Sequence, residues 1–379
     1  MSGPNVTMVG TYPPTSCGLA TFTRNLSQAV ADRGTGWTTR VVRLLDRDDV
    51  TVHDEVVADW LAGNEASLHR ALSVANSSDV VVLQHEYGLF SGPDGEDVLE
   101  FVDALRVPLV VVLHTVLRTP SPRQRRILDE LMRAASRTIV QSRAAYDRLL
   151  LTYDVTRDRT VVIPHGAASN FEGSVLNEVR HPAVLTWGLL GPGKGIEHGI
   201  SAIKLLQRRS PAPTYIVAGE THPKVRATQG ERYRNSLRDQ RRRLGLDAQV
   251  YFDDRYRDWD SLRALVRSVD VVLLPYDSLD QVSSGVLVEA IASGKPVVAT
   301  QFPHAEELLR DGAGLCVPQG DAAAMAGALD YVLFTRGVAQ AMSHVARREA
   351  QALLWPTVGE RYRTLIADVL SSAAAFAVG

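Results

Sequence analysis

The segment Ala183-Val-Leu-Thr-Trp-Gly-Leu-Leu-Gly-Pro-Gly-Lys-Gly195 joins five strand-forming residues to a turn that contains four glycines and one lysine. A second segment of small residues, Ser283-Ser-Gly-Val-Leu-Val-Glu-Ala290, precedes an apolar run that predicts a helix. Backbone N–H groups at such turns and helix starts can bind phosphate without a metal. Together with Lys194 and Glu289, the two segments indicate a site for a nucleoside-diphosphate sugar.

The first segment also has the spacing of a nucleoside-triphosphate phosphate loop, through Gly188, Gly193 and Lys194. That loop requires serine or threonine after the lysine to bind magnesium, and this chain has Gly195, which carries no hydroxyl. A magnesium-dependent triphosphatase is therefore disfavoured. The other alternative is a simple strand-to-helix turn with a solvated lysine. The presence of the second segment makes this interpretation less favoured.

The composition predicts a globular protein with two domains. The chain has 379 residues, of which 45% are hydrophobic and 22% are charged. Its formal net charge of −2 gives no general attraction to nucleic acid. The two cysteines, Cys17 and Cys316, suggest no disulfide framework and fit a reducing cytosol. Because a signal peptide and an apolar run of about 20 residues are both missing, we expect a soluble, cytoplasmic protein without a transmembrane segment.

Strand-forming runs alternate with helical patterns along the whole chain. Several runs, such as Val80-Val-Val-Leu83, are continuously apolar, which is typical of parallel strands that helices cover on both faces. The alternation predicts an α/β protein with doubly wound parallel sheets. The predicted strands are Val6–Gly10, Thr38–Leu44, Asp79–Gln84, Pro108–His114, Arg137–Gln141 and Thr160–Pro164 in the first half, and Ala183–Trp187, Thr214–Gly219, Gln249–Phe252, Asp270–Pro275, Pro296–Thr300 and Gly314–Val317 in the second.

Residues 168–180 show no strong period and contain glycine, serine and asparagine, so we interpret them as a linker. We expect a first Rossmann-like domain at residues 1–172 and a second one at residues 173–355. Residues 356–379 form a tail, in which Val358 to Leu370 have helical spacing. This last helix could cross back onto the first domain, which the sequence alone leaves open.

His85 and His165 directly follow two predicted strands of the first half, and His114 is the last residue of a third. Ligands of open parallel sheets bind beyond the carboxyl ends of the strands. A single such histidine is explained as well by the edge of a sheet, but three on one rim favour a polar ligand crevice. Because the three come from distant strands and lack the spacing of a zinc site, we predict that they bind no metal.

Two arginine-rich segments have simpler explanations than ligand binding. The stretch from Arg232 to Arg243 carries six arginines in twelve residues with acidic neighbours, and we expect a solvated helix face rather than a nucleic-acid patch. Arg123, Arg125 and Arg126 lie at the start of another predicted helix. A solvated face is favoured there too, and the alternatives are a peripheral position at the inner membrane face or contact with an anionic acceptor.

Taken together, these segments resemble the retaining glycosyltransferases of family 4, which have the GT-B fold of two facing Rossmann-like domains. The resemblance extends from Met8-Val-Gly-Thr-Tyr-Pro13 to the region between Gly312 and Asp321. Its most specific part consists of Leu274-Pro-Tyr276 and the stretch from Ser283 to Thr300. The resemblance implies that this part binds the sugar donor in the second domain.

The resemblance also implies roles for individual residues. Lys194 would contact the donor diphosphate, Glu289 would hold the ribose hydroxyls, and His114 would contact the transferred sugar near its reacting carbon. We take these three as the catalytic candidates, and Gly18 in the first loop would approach the donor phosphates. The other candidates for donor binding are Gly188, Gly195, Gln281, Ser283, Ser284 and Gly285, and the candidates for acceptor binding are His85, Glu86 and His165.

The chain departs from the family pattern at two positions. Gln281 stands where the family has the first glutamate of a pair, eight residues before Glu289, and its amide can still bind a sugar hydroxyl without a charge. Leu189 stands where the family usually has an arginine, so one positive contact to the diphosphate is missing. Both departures leave the identity of the donor sugar open.

The sequence thus predicts an enzyme that moves a hexose from a nucleoside-diphosphate sugar, of the GDP-mannose or UDP-glucose type, to an acceptor hydroxyl with retention of configuration. We expect no metal and no cofactor, and the acceptor would be a small molecule, a glycan or a lipid-linked molecule. Two alternatives remain, a sugar-nucleotide epimerase of the same fold and a non-catalytic protein that binds sugar nucleotides. The sequence does not indicate an oligomeric state.

Overall fold

The computed structural model describes residues 3–15, 17–31, 34, 36–49, 51–155, 157–255, 257–278 and 282–378, with side chains up to residue 375. The chain forms two compact units. The first unit comprises Met1–Gly166 together with Trp355–Gly379, and the second comprises Ala167–Leu354.

Helices and strands alternate along the chain. In chain order the elements are β1 (Asn5–Gly10), α1 (Gly18–Val30), β2 (Thr38–Leu45), β3 (Val56–Leu61), α2 (Glu65–Ala75), β4 (Val80–His85), α3 (Val98–Asp103), β5 (Leu109–Leu113), α4 (Pro122–Ala134), β6 (Arg137–Val140), α5 (Arg143–Thr152), β7 (Thr160–Val162), β8 (Ala183–Trp187), α6 (Ile196–Leu206), β9 (Thr214–Ala218), α7 (Pro223–Gln229), α8 (Arg232–Arg243), β10 (Val250–Asp253), α9 (Trp259–Arg267), β11 (Val271–Leu274), α10 (Gly285–Ala292), β12 (Val297–Thr300), α11 (Pro303–Leu308), β13 (Gly314–Val317), α12 (Ala322–Phe334), α13 (Val338–Ala350) and α14 (Trp355–Val378).

In the described residues, the first unit contains one sheet of seven parallel strands in the order β3-β2-β1-β4-β5-β6-β7. Every residue of the central strands β4 and β5 is buried. These strands are the continuously apolar runs of the sequence, as a parallel sheet covered on both faces requires. The doubly wound α/β class predicted for this half is confirmed.

Strand β3 is absent from the strands predicted from the sequence. Its sequence, Val56-Val-Ala-Asp-Trp-Leu61, mixes apolar and polar residues, and Val57 is 47% exposed whereas Trp60 is buried. The strand lies at the edge of the sheet, where Asp59 accepts a hydrogen bond from Nε of Arg43 on β2 at 2.7 Å. An edge strand with solvated side chains lacks the apolar run that identifies a central parallel strand.

The second unit is likewise built on a parallel sheet, whose six strands in the described part of the chain have the order β10-β9-β8-β11-β12-β13. One hydrophobic cluster joins one face of the sheet to α9, α10, α11 and α13. The other cluster joins the opposite face to α6, α8 and α12. This arrangement of helices on both faces confirms the predicted fold class for the second half.

Residues 168–180, which we interpret from the sequence as a linker, belong to the second unit, which begins at Ala167. The N–H of Asn170 donates to the carbonyl of Ala292 at 3.0 Å, and the N–H of Leu176 donates to Oγ of Ser268 at 2.6 Å. The division therefore lies between residues 166 and 167 rather than between 172 and 173. A segment without a helix or strand period gives no sequence signal for such pairing.

The last helix, α14, packs on α1 of the first unit. Nη1 of Arg363 donates to the carbonyl of Ala29 at 2.7 Å. The two helices approach closely at Gly359, where a Cβ atom would lie 2.3 Å from the oxygen of Ala29. The helix predicted for the tail thus crosses back onto the first unit, and Pro356 lies in its first turn, where no intrahelical N–H is needed.

None of the described helices is both long enough and apolar enough to span a lipid bilayer.

We expect Gly359→Ala to destabilise the protein, because the new methyl group must push α14 away from α1, and such overpacking typically costs about 1–3 kcal/mol. The matched control is Gly327→Ala at an exposed position of α12, where a Cβ would meet no described atom within 4 Å. The control should instead stabilise the protein by up to about 1 kcal/mol through helix propensity. Urea unfolding of both variants checks this, and equal stabilisation would contradict the close packing of α14 on α1.

Candidate functional site

The Gly188–Gly195 turn connects β8 to α6, and its backbone conformations and close contacts require glycine. Gly188 has φ of +118° and Gly195 has φ of +60°. A Cβ on Gly195 would lie 1.9 Å from the oxygen of Pro275, and a Cβ on Gly219 would lie 2.1 Å from the oxygen of Gly188. The backbones that follow β8, β9 and β11 therefore meet in direct contact at the carboxyl end of the sheet.

Backbone hydrogen bonds hold this turn on both sides. The N–H of Gly188 donates to the carbonyl of Ala218 at 3.0 Å, and the N–H of Leu190 donates to the carbonyl of Glu220 at 2.8 Å. On the other side, the N–H of Asp277 donates to the carbonyl of Gly193 at 3.2 Å. The turn is thus preformed without a ligand.

Lys194 has a defined place in the turn. Its ammonium nitrogen lies 4.3 Å from the centre of the Tyr276 ring, in a cation–π contact. Tyr276 is itself buried and stacks on Phe302, with 5.2 Å between the ring centres. The aromatic pair therefore positions the positive charge next to the turn.

Helix α10 begins at the second predicted segment. Ser284 is its N-cap, since Oγ of Ser284 accepts a hydrogen bond from the N–H of Leu287 at 3.2 Å. The N–H of Ser284 donates to Nδ1 of the buried His304 at 2.9 Å, a contact that the sequence analysis did not foresee. Gly285 is the first residue of the helix, with Ser283 just before the cap. A helix start of this kind favours a negatively charged ligand.

Glu289 lies on the same helix, close to the end of β8. Nε1 of Trp187 donates to Oε2 of Glu289 at 3.3 Å. Burial raises the pKa of the Glu289 carboxyl to about 7, and the hydrogen bond from Trp187 opposes that rise. The carboxyl group lines a small cavity that it shares with Asn170, Trp259 and Ser293.

The second unit brings most predicted donor-binding residues together. Gly188 and Gly195 belong to the turn, and a Cβ on Gly188 would lie 3.7 Å from Cγ2 of Val286 in the first turn of α10. The glycine turn and the start of α10 are therefore neighbours, as the sequence analysis proposed. Gln281 lies outside the described residues.

Arg234 on α8 differs from the solvated position that we expected for its segment. Arg234 is 4% exposed and donates from Nη2 to the carbonyl of Gly219 at 2.6 Å and from Nε to Oγ1 of Thr221 at 3.2 Å. It also forms an ion pair with Asp254. Arg234 therefore holds the segment after β9 in place through these hydrogen bonds. Neighbouring arginines such as Arg242 are exposed.

In the first unit, His114 lies between two glutamines that the sequence analysis did not connect with it. Nε2 of His114 lies 2.8 Å from Oε1 of Gln84, and Nδ1 lies 3.2 Å from Nε2 of Gln141. With these amide orientations His114 carries its proton on Nε2. Burial, followed by the nearby His165 and His85, lowers the pKa of His114 to about 3, so the ring is neutral at physiological pH.

The three strand-end histidines do not line one polar crevice. His114 and His165 both contact the ring of Phe22, at centroid distances of 4.8 Å and 4.9 Å. His85 instead contacts Tyr87, at 5.1 Å, and is fully buried. Because adjacent residues of a strand face opposite sides, His85 lies on the other face of the sheet from Gln84.

The remaining candidates of the first unit lie at the same edge of its sheet. Glu86 is held by the N–H of Tyr87 at 3.0 Å and by the hydroxyl of Thr115 at 2.5 Å. Gly18 is the first residue of α1, and Sγ of Cys17 caps this helix by accepting a hydrogen bond from the N–H of Ala20 at 3.3 Å. The cysteine is thus a structural cap, an unusual choice that composition does not signal.

In the described part of the chain, one group of side chains could hold a metal ion. Ligand atoms of Glu197, His198 and Asp277 lie within 4.8 Å of one another. Glu197 and His198 lie in the first turn of α6, directly after the glycine turn, and Oε2 of Glu197 accepts the hydroxyl of Tyr233 at 2.8 Å. Asp277 is distant in sequence from the other two residues, so no local spacing signals this group.

Two family descriptions match the chain. Residues 17–170 match Glycosyltransferase Family 4, and residues 181–334 match Glycosyl transferases group 1. A D-inositol 3-phosphate glycosyltransferase of Nocardia farcinica is 27% identical over 279 residues, which are 68% of this chain and 60% of that protein. A phosphatidyl-myo-inositol mannosyltransferase of Mycobacterium leprae is 47% identical over 72 residues, which are 18% of this chain and 19% of that protein. The chain thus matches less than two thirds of the length of either relative.

Several solved structures share the fold. The sucrose-phosphate synthase from Thermosynechococcus elongatus has a TM-score of 0.78 at 17% identity, with 98% of this chain and 100% of that chain covered. The Anabaena protein Alr3699/HepE in complex with UDP and glucose has a TM-score of 0.75 at 21% identity, with 98% and 100% covered. Identities this low show likeness of fold alone.

The raised pKa of Glu289 makes the stability of the unliganded protein depend on pH. The carboxyl pKa is about 7 in the folded state against an ordinary value of 4.5, so the folded state binds more protons between these values and the free energy of unfolding falls as the pH rises. We expect Glu289→Gln, which keeps an acceptor for Trp187, to be more stable than wild type at about pH 8 and equally stable at about pH 4.5. Urea unfolding at both pH values tests this. If the free energies of unfolding of variant and wild type differed by the same amount at both pH values, the raised pKa of Glu289 would be contradicted.

Proposed function

Since the chain belongs to glycosyltransferase family 4 and has the GT-B fold, we propose that it transfers a hexose from a nucleoside-diphosphate sugar to an acceptor hydroxyl with retention of anomeric configuration. The observation that carries the proposal is the preformed glycine turn of the second unit, which carries Lys194 and lies next to the start of α10. The related inositol glycosyltransferase and the UDP complex of the Anabaena protein support a nucleotide-sugar donor.

The charges of this site suit the departure of a diphosphate. As the bond between the anomeric carbon and the diphosphate oxygen breaks, negative charge grows on the diphosphate. The ammonium of Lys194 and the N-terminal ends of α6 and α10 stabilise that charge without rearrangement, because the fold already holds them in place. Glu289 would accept hydrogen bonds from the ribose hydroxyls, which is the role that the resemblance implies.

We propose that the anomeric configuration is retained because the acceptor attacks the sugar on the same face from which the diphosphate departs. The acceptor oxygen forms the new bond to the anomeric carbon, and its proton passes to an oxygen of the departing diphosphate. His114 is neutral and both of its nitrogens are engaged by Gln84 and Gln141, so it would orient the sugar rather than transfer a proton. Glu86, with Thr115, is the candidate for binding acceptor hydroxyls in the first unit.

The proposal is tested by incubating the protein with UDP-glucose or GDP-mannose and candidate acceptors that carry an inositol, and by measuring nucleoside-diphosphate release and the anomeric configuration of the product. We expect release that depends on the acceptor. A new sugar nucleotide formed without an acceptor would favour the epimerase instead, and binding without turnover with any acceptor would favour a non-catalytic protein.

We expect activity to be independent of divalent metal, because Lys194 and backbone N–H groups supply the positive end of the site. The assay is repeated after EDTA treatment and dialysis, with added magnesium or manganese as the comparison. Activity that is lost in EDTA and restored by metal would contradict this expectation. The Glu197, His198 and Asp277 group would then be the first position to substitute.

We expect Lys194→Met to lower turnover about a hundredfold while weakening donor binding much less, because its charge acts most strongly on the diphosphate of the transition state. Methionine keeps the length of the side chain and removes the charge. Lys204→Met, at the far end of α6, is the matched control. Leu189→Arg should partly rescue Lys194→Met if a second cation reaches the same phosphates, whereas wild-type turnover in Lys194→Met would refute the role of the turn.

A further inference from the structure

The segment between β9 and α7, residues 219–222, is attached to the glycine turn along its length. The N–H of Leu190 donates to the carbonyl of Glu220 at 2.8 Å, and the N–H of His222 donates back to the carbonyl of Leu190 at 2.8 Å. A Cβ on Gly191 would lie 4.0 Å from Cβ of His222. The side chain of His222 is therefore held beside the turn by backbone pairing, independently of any ligand.

The hydrogen bonds of His222 determine which ring nitrogen carries the proton. His222 is the N-cap of α7, and its Nδ1 accepts a hydrogen bond from the N–H of Lys224 at 3.2 Å. An accepting Nδ1 carries no proton, so the neutral ring has its N–H at Nε2, the atom farther from α7. A half-buried side chain at this position thus presents a hydrogen-bond donor rather than an acceptor.

Burial and two lysine charges act on the imidazole of His222. Burial, followed by the charges of Lys224 and Lys194, lowers the pKa of His222, so the imidazole is neutral at physiological pH. Lys194 belongs to the same turn as Gly191, since its N–H donates to the carbonyl of Gly191 at 3.2 Å, and a Cβ on Gly191 would lie 4.0 Å from Cβ of His222. An ammonium group on the glycine turn and an N–H donor on the segment paired with that turn suit a multiply charged anion.

We propose that His222 binds the diphosphate of the donor through its Nε2–H, beside Lys194, and so supplies the second side-chain contact that Leu189 cannot make. This inference rests on the proposed function, because it assigns a further residue to the same nucleotide site. The contact comes from a different strand end than the turn itself, which explains why inspection of the turn alone does not reveal it. A neutral donor also adds no charge that must be compensated when the site is empty.

Two substitutions at His222 separate diphosphate binding from helix capping. His222→Asn places an oxygen near the position of Nδ1, so it keeps the cap of α7 and removes the distal N–H. His222→Gln places an amide N–H near the position of Nε2 and loses the cap. Calorimetric titration with UDP and GDP, and with uridine and guanosine as controls, measures binding to each variant.

We expect His222→Asn to bind the nucleoside diphosphate about tenfold more weakly than wild type, the loss expected for one hydrogen bond to a charged group. Its affinity for the nucleoside and its melting temperature should remain those of wild type. His222→Gln should melt at a lower temperature and bind the diphosphate within about threefold of wild type, because its amide N–H replaces that of Nε2.

The outcomes distinguish this inference from the proposed function. If wild type binds neither UDP nor GDP, the nucleotide site itself is refuted and the inference falls with it. If wild type binds one of them and His222→Asn binds it equally well, only the role of His222 is refuted. Equal losses of diphosphate affinity in both variants would assign the effect to the fold around α7 and would also overturn the inference.

Discussion

The carboxyl end of the second sheet depends on backbones that approach one another more closely than any side chain would allow. Gly219 lies against the carbonyl of Gly188, and Gly195 lies against the carbonyl of Pro275, at distances where a Cβ would overlap the oxygen. A side chain at either glycine would also force an L-residue into the left-handed region, at about 1–2 kcal/mol. These contacts make the ends of β8, β9 and β11 one preformed structure, and preformed dipoles and charges are what stabilise a developing charge most effectively.

Burial decides which titratable groups of the two units are charged. In the first unit, burial lowers the pKa of His85 and His114 to about 3 and that of His165 to about 4, so all three are neutral donors or acceptors. In the second unit, burial raises the pKa of Glu289 to about 7. Beside the glycine turn, Lys194 supplies the positive charge that a leaving diphosphate requires.

Arg234 shows how one segment can combine a solvated face with a structural role. Six arginines in a twelve-residue helix suggest a uniformly exposed surface, yet Arg234 is buried beneath the segment after β9 and paired with Asp254. A buried ion pair is weak evidence for stability, but its fixed geometry can hold two loops in register. Here the guanidinium of Arg234 fixes the positions of Gly219 and Thr221, which both accept hydrogen bonds from it. His222 is the next residue along the chain.

The sequence by itself determined the α/β class, every strand except β3, the glycine turn and the start of α10, because each depends on local periodicity or on the conformational freedom of glycine. Only the tertiary structure decided that residues 167–180 belong to the second unit, that Gln84 and Gln141 hold His114, and that the backbone of His222 pairs with the glycine turn. These features arise where separate strand ends meet in space, and no spacing along the chain encodes which loops will face one another. The physical reason is that periodicity reports which face of an element is buried, whereas hydrogen-bond partners and pKa values depend on what the fold places against that face.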